Sequence, residues 1–397
     1  MPKAPNSFKR LIHIDIPAGQ SSFLWGIRKS GKSTFLKENY SRSLYIDLLK
    51  KDLHLKYLQK PYLLREEVLA LSEDELAYPI IIDEVQKIPN LLDEIHWLIE
   101  NTEAYFILCG SSARKLRRGA ANLLGGRAWS FHMHPLTYKE ISELEEFDLL
   151  KALNNGLIPS HYNSKQANRS LKAYVSEYLN EEIKAESLVR NLSNFARFLD
   201  IFAFSHGEIT NYTNLSRDCG VDAKTIKEYY QILIDTLMGH YLYPFSGMES
   251  RDTIRATPKF YLADTGLATF LCQKSINILK GAEAGKAFEH FIFMELIAYK
   301  DLEEKNISLN FWRNKNKLEV DFIVNRGAIA IEVKISNSVE KRDLKGLIEF
   351  QRRFPATRAI VVSLDSQKRK IILEDNKEIM IYPYQEFLEA LWKGEFF

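Results

Sequence analysis

The segment Gly26-Ile-Arg28-Lys29-Ser30-Gly31-Lys32-Ser33-Thr34 follows the apolar stretch Ser22–Trp25 and runs into the helical sequence Phe35-Leu-Lys-Glu-Asn39. It matches GxxxxGK[ST] between an expected strand and an expected helix N-terminus, which restricts the surrounding fold to a strand–turn–helix unit. The glycines let the backbone curl so that successive N–H groups face a phosphate, and the helix dipole adds attraction for negative charge. The loop from Gly26 to Thr34, with Arg28, Lys29, Ser30 and Gly31 inside it, is therefore expected to cradle the phosphates of ATP. Lys32 would reach the β- and γ-phosphates and Ser33 would take a place on Mg²⁺. An ordinary glycine-containing turn would need four fixed positions to coincide by accident, expected in roughly 1% of chains of this length.

At 397 residues the chain is long enough for two or three domains. Its 46% hydrophobic content excludes wholesale disorder. A net charge of +2 gives no global attraction for a polyanion, so any nucleic-acid surface must be local. Cys109, Cys219 and Cys272 are far apart, with no zinc spacing or disulfide framework, which suits a reducing cytosol. The opening residues Met1 to Ser7 lack the apolar core of a signal peptide, and no apolar run approaches a membrane span. A soluble, cytoplasmic protein with no membrane partner is expected.

Residues 20 to 135 alternate short apolar runs (Ser22–Trp25, Ser43–Asp47, Pro79–Asp83, Tyr105–Cys109, Ala128–His132) with helical stretches, the pattern of a mostly parallel α/β sheet. From about 140 to 240 the periodicity is helical. After Pro258 strands return at Lys259–Leu262, Leu309–Arg313, Glu319–Val324, Ala328–Lys334 and Arg358–Ser363, with a helix over Lys286–Tyr299. The expected division is 1–150, an ATPase domain; 151–255, a helical connector; and 256–397, a second α/β domain. The tail from Glu374 reads as a final strand and an amphipathic helix whose aromatic spacing suits a core or an interface rather than a ligand site.

Tyr78-Pro-Ile-Ile-Ile-Asp83-Glu84 is an apolar strand ending in two carboxylates. Asp83 would hold the Mg²⁺ shell and Glu84 would orient the attacking water. The next strand ends in Gly110-Ser111-Ser112, making Ser111 a candidate γ-phosphate sensor or merely a chain turn. Arg127, after Gly125-Gly126, is a candidate arginine finger acting on its own site or on a neighbouring copy, against simple pairing with a local acid. A small-molecule kinase is disfavoured, because the Asp83-Glu84 pair suits activation of water and no lid segment is evident.

Thr213 to Leu233 reads as helix–turn–helix, with Gly220 in the turn and Asp222 capping the second helix. Ile226, Tyr229, Tyr230 and Leu233 would be buried, leaving Lys224, Thr225 and Lys227 outward; Tyr241–Phe245 and Lys259–Leu262 would be wing strands. DNA contact and a spacer or protein-docking role both fit this weakly basic helix. Farther on, Glu319-Val-Asp321 and Ala330-Ile-Glu332-Val-Lys334 form an expected hairpin through Asn325-Arg326-Gly327. Strand alternation puts Glu332 and Lys334 on one face, and Asp321 can approach them. Two carboxylates for divalent metal and a lysine to position water are what phosphodiester hydrolysis needs. The alternative is an inert domain in which Lys334 pairs with Glu332 or Asp321.

Taken together, the loop, Asp83–Pro89, Gly110–Ala113, Gly126-Arg127, His134-Pro-Leu-Thr137 with Glu140, and Pro258-Lys-Phe-Tyr-Leu-Ala-Asp264-Thr-Gly-Leu267 resemble a group of prokaryotic AAA+-type ATPases. These carry a C-terminal domain of unknown function resembling PD-(D/E)XK nucleases. The resemblance implies a P-loop NTPase sheet of order 5-1-4-3-2, Mg-ATP as ligand, a winged helix in the middle and a restriction-endonuclease-like α/β domain at the end. It also implies Glu289 as a further member of the metal set; Glu295 more plausibly lies on a solvated helix face. Val320 stands where the nominal motif has proline. The expected function is Mg-dependent ATP hydrolysis at or on DNA, with nucleotide state gating a metal-dependent nuclease. The alternative is a nucleotide-dependent switch or scaffold whose C-terminal domain only binds a partner or DNA. Self-assembly stays open with the role of Arg127.

Overall fold

A computed structural model describes residues 8–17, 20–112, 123–184, 188–246, 257–373 and 376–397. The chain separates into two compact units, one built from residues 9–135 and 231–238, the other mainly from 136–230 and 239–397.

In the first unit, β1 (Ser21–Trp25), β2 (Tyr45–Asp47), β3 (Ile80–Asp83), β4 (Phe106–Gly110) and β5 (Ala128–His132) form a wholly parallel sheet of order 5-1-4-3-2. Its central strands β1, β3 and β4 are buried along their whole length, as expected where both faces of a parallel sheet are covered. Phe23, Ile82 and Leu108 pack with Ile95 and Leu98 of the amphipathic helix Leu91–Asn101. The C-terminal ends of β1, β3 and β4 (Trp25, Asp83 and Gly110) share one edge, and that edge carries the phosphate-binding sequence.

The second unit holds an eight-stranded mixed sheet: β6 (Gly239–Pro244), β7 (Lys259–Leu262), β8 (Leu309–Arg313), β9 (Glu319–Val324), β10 (Ile329–Lys334), β11 (Arg358–Ser363), β12 (Arg369–Ile372) and β13 (Glu378–Pro383). Their spatial order is 12-13-11-10-9-8-6-7. β9 and β10 are the expected hairpin, turned by Asn325, Arg326 and Gly327, all with positive φ. Val320 and Ile323 face helix Lys345–Arg353 through Leu347 and Phe350. On the other face Phe322 stacks on Phe293 of the long helix Gly281–Leu302, the helix that carries Glu289. The strands after the helix–turn–helix do not form a separate wing. β6 and β7 pair with each other, and β6 also adds in parallel to β8. Residues 247–256 between them, and Ala113 of the Gly110–Ala113 motif, lie outside the described residues.

The helix–turn–helix itself is helix Tyr212–Cys219, Gly220 at φ 70, and helix Ala223–Asp235. Asp222 Oδ1 accepts from Thr225 N at 2.8 Å, and Ile226, Tyr229, Tyr230 and Leu233 are buried. Lys224 and Lys227 are exposed, with Lys227 Nζ 5.4 Å from the centre of the Tyr212 ring. Among the described residues no helix is long and apolar enough to cross a membrane.

Glu295 is buried, contrary to the expected solvated face. Its two carboxylate oxygens accept from Tyr138 N at 2.7 Å and Trp392 Nε1 at 2.8 Å, joining helix Gly281–Leu302 to helices Tyr138–Ser142 and Tyr384–Trp392. Burial pushes its carboxyl up to about 8, against the lowering effect of those donors. A carboxyl raised in the folded state holds its proton after the unfolded chain has released it, so stability falls as pH rises from about 4.5 to about 8. The contribution is at most about 1.4 kcal/mol per pH unit within that window. Glu295→Gln is expected to flatten this slope whatever its baseline cost, as read from thermal melts between weakly acidic and weakly alkaline pH. Equal slopes for the two proteins would refute the assignment.

Candidate nucleotide site and carboxylate cluster

The loop after β1 is tightly folded. A Cβ on Gly26 would sit 2.5 Å from Met133 O, and Gly31, at φ 101, leads into helix Lys32–Asn39 in the left-handed region that disfavours side chains. That helix start has no side-chain cap, so its first N–H groups face the loop. Lys32 Nζ donates to Gly26 O at 2.7 Å and Ile27 O at 3.0 Å. Arg10 braces the outside, donating to Ser30 O and, at 2.6 Å, to His134 O.

Ser33 Oγ donates to Asp83 Oδ2 at 2.7 Å, and Tyr45 OH donates to the same oxygen at 2.5 Å. Burial and then this carboxylate hold the Tyr45 phenol well above its usual range. Asp83 Oδ1 and Ser30 Oγ are buried without hydrogen-bond partners. A glycine at 26 with no room for a Cβ, another at 31 in the left-handed region, a helix start without a side-chain cap and uncommitted oxygens at Asp83 and Ser30 fit a magnesium nucleotide. Glu84 adopts φ 61, a costly backbone for a non-glycine residue. Gln86 Nε2 donates to Glu84 Oε2 and to Ser111 Oγ (3.2 Å), while Ser111 Oγ lies 3.4 Å from that Glu84 oxygen. Lys32, Ser33, Asp83, Glu84 and Ser111 therefore gather at one sheet edge.

Arg127 does not. It precedes β5 at the opposite, N-terminal edge of the sheet, because Ser21 pairs with Ala128 and Trp25 with His132. Its guanidinium is 44% exposed and pairs with Glu100 at 2.8 Å and His96 at 3.3 Å. It cannot reach its own chain's loop across the length of the strand.

In the second unit Glu289, Asp321 and Glu332 approach one another, but the expected three-carboxylate metal set is not assembled. Among the described residues no group of three or more His, Cys, Asp or Glu side chains is disposed to hold a metal ion. Each carboxylate already has a partner. Glu289 Oε1 accepts from Lys259 Nζ at 3.2 Å and Tyr261 OH at 2.5 Å; Asp321 Oδ2 accepts from Val333 N at 2.8 Å. Lys334 Nζ bonds Glu332 Oε1 at 2.6 Å. Burial, then the charges of Glu332 and Glu289, push the Asp321 carboxyl well up; burial also raises Glu332, opposed by Lys334.

Sequence reasoning missed Tyr45, Gln86 and Arg10 at the first site and Lys259, Tyr261 and Glu319 at the second. Gln86 lies within Asp83–Pro89, and Lys259 and Tyr261 lie in the Pro258–Leu267 motif. Their signal was positional, without a chemistry to read from spacing.

Residues 19–142 match an AAA domain, 146–277 a domain of unknown function (DUF8612), and 284–386 a second domain of unknown function (DUF4143). The parallel 5-1-4-3-2 sheet and its loop agree with an AAA-type P-loop domain over residues 19–142, ahead of the DUF4143 match. An uncharacterized protein of Mycobacterium tuberculosis is 27% identical over 270 residues, covering 66% of this chain and 58% of the relative. An uncharacterized protein of Methanocaldococcus jannaschii is 23% identical over 384 residues, covering 86% of this chain and 81% of the relative. The match thus spans less than two thirds of the mycobacterial relative. Among solved structures, the Aeropyrum pernix ORC1 protein in complex with DNA aligns at 11% identity and TM-score 0.23, over 64% of this chain and 86% of that one. A likeness that low carries nothing further.

Proposed function

We propose that the chain hydrolyses ATP with Mg²⁺ in its N-terminal unit and uses the nucleotide state as a switch for a C-terminal unit that binds DNA or a protein partner without cutting. The observation that carries the first half is the Ser33–Asp83 bond of 2.7 Å beside the Gln86-anchored Glu84. In this reading Lys32 and the amides of Gly26 to Thr34 hold the phosphates, Ser33 and Asp83 hold Mg²⁺, Glu84 accepts a proton from the attacking water and Ser111 keeps Glu84 in place. The ion would supply charge neutralisation on the phosphates. Arg127, if it serves as a finger, serves a neighbouring copy, which would require self-assembly. By function the chain divides near residues 150 and 255, with Lys224 and Lys227 as the local basic surface toward a phosphate backbone.

The rival reading is a nuclease gated by ATP, using Glu289, Asp321 and Glu332 for metal and Lys334 for water. The pairing of Glu289 with Lys259 and Tyr261, and of Lys334 with Glu332, favours the switch. Incubation of plasmid and branched DNA with the full chain, divalent metal and each nucleotide tests it. No cutting is expected; cutting that Lys334→Ala abolishes would reinstate the nuclease.

A further inference from the structure

The Pro258–Leu267 motif has a chemical content that nucleotide hydrolysis leaves unused. Strand β7 alternates, so Lys259 and Tyr261 point to one face, and both reach the same oxygen of Glu289. The Lys259 ammonium also lies 2.5 Å from Glu319 Oε1. Its side chain is only 5% exposed, against 33% for Lys334, and its head lies 5.5 Å from the centre of the Phe311 ring. Burial alone would lower the pKa of such an amine, yet the surrounding acids, Glu289 foremost, hold it well above its usual value. This lysine is a fixed positive charge sealed among carboxylates.

The cluster is dense in carboxylates. Glu289, Glu319, Asp321 and Glu332 face Lys259 and Lys334, with Arg313 3.7 Å from Glu319 at its edge, and one oxygen of the buried Glu332, Oε2, has no hydrogen-bond partner. With the ammonium seated among them these carboxylates do not converge on a metal position, but an unpartnered buried carboxylate oxygen beside three more carboxylates has the donor chemistry a hard cation takes once the ammonium is gone. We infer that the Lys259 ammonium is the resident cation of this cluster, filling the position of a divalent ion, and that removing it creates a divalent-cation site formed by Glu289, Glu319, Asp321 and Glu332. This deepens the non-cutting reading of the C-terminal unit: the charge a metal would bring is supplied by the chain itself. It also explains why Lys259 and Tyr261 sit together, since the phenol orients the carboxylate that the ammonium neutralises.

The test counts Mn²⁺ bound to the full-length protein without nucleotide, from the loss of the free-ion electron paramagnetic resonance signal. Wild type is expected to bind no Mn²⁺ that Asp321→Asn removes. Lys259→Met is expected to gain one ion per chain, lost again in the Lys259→Met/Asp321→Asn double variant. A wild-type Mn²⁺ site abolished by Asp321→Asn would overturn the inference, as would a folded Lys259→Met that takes up none. Should Lys259→Met be poorly folded, Mn²⁺ but not Na⁺ is expected to raise its melting temperature, and no rise counts against the inference. The plasmid assay decides the switch reading separately. A chain that cuts no DNA but whose wild type binds Mn²⁺ through Asp321 keeps that reading and loses this one.

Discussion

ATP turnover by Glu84→Gln is expected to fall by about 10²- to 10⁴-fold, the usual contribution of a positioned general base. Binding of a fluorescent ATP analogue should persist. The glutamine keeps the side-chain length and an acceptor for Gln86, but it cannot take a proton from water. Geometry supports the role. Glu84 is the residue after Asp83, its backbone is in the left-handed region, and its carboxylate is anchored by Gln86 and approached by Ser111. A non-glycine residue held at φ 61 beside a ligand loop is a place where strain is tolerated for the aim of one side chain. Lys32→Ala is the complementary control, since it should abolish analogue binding and turnover together. Undiminished turnover by Glu84→Gln would reject the assignment of the base, and normal analogue binding by Lys32→Ala would reject the loop itself.

The second large effect concerns stability. Gly266→Ala is expected to cost about 3 kcal/mol or more, at the upper end of overpacking penalties. A Cβ at Gly266 would lie 2.2 Å from Gly156 N and 2.3 Å from Asn155 C, and backbone cannot swing aside as a flexible side chain can. The contact belongs to a dense joint. Asp264 caps helix Thr265–Leu271 through Leu267 N at 2.9 Å and accepts from Leu157 N at 2.6 Å. Thr265 Oγ1 and Thr269 Oγ1 donate to Ala152 O and Leu153 O of helix Leu149–Asn155. Gly220→Ala is the matched comparison, because nothing lies within 4 Å of the added methyl. It should cost only the left-handed backbone penalty of about 1–2 kcal/mol. Denaturant melts of the two variants check the contrast, and equal midpoints would show that the joint at Gly266 is looser than its atoms place it.

Much of the first unit was legible because its signals are local. The run from Ser22 to Thr34 carries its strand, turn and helix in thirteen consecutive residues, and Ile80–Asp83 announces a buried strand by unbroken apolarity. The register of β9 and β10 was likewise readable, since a short turn and period-two alternation leave few alternatives. Long-range pairing was not. β6 looked like half of a wing because its neighbour β7 follows it, whereas its partner β8 begins beyond residue 300 and no local rule joins them. The same limit hid Lys259. A lysine thirty residues before Glu289 has no spacing that marks it as an ion-pair partner, and the distance between them exists only once helix Gly281–Leu302 crosses the sheet. Tyr45 is a similar case: its hydroxyl reaches Asp83 because β2 and β3 are neighbours, which the order of the strands decides.

The pairing of β6 with β8 bears on how this protein can be taken apart. Cleavage after residue 255 would strand β6 on the upstream piece and leave β7 with no ladder linking it to the remaining strands, uncovering the backbone groups of β8 as a raw border open to intermolecular zippering. The DUF4143 region is therefore better dissected by point substitution in the intact polypeptide than by truncation at that junction.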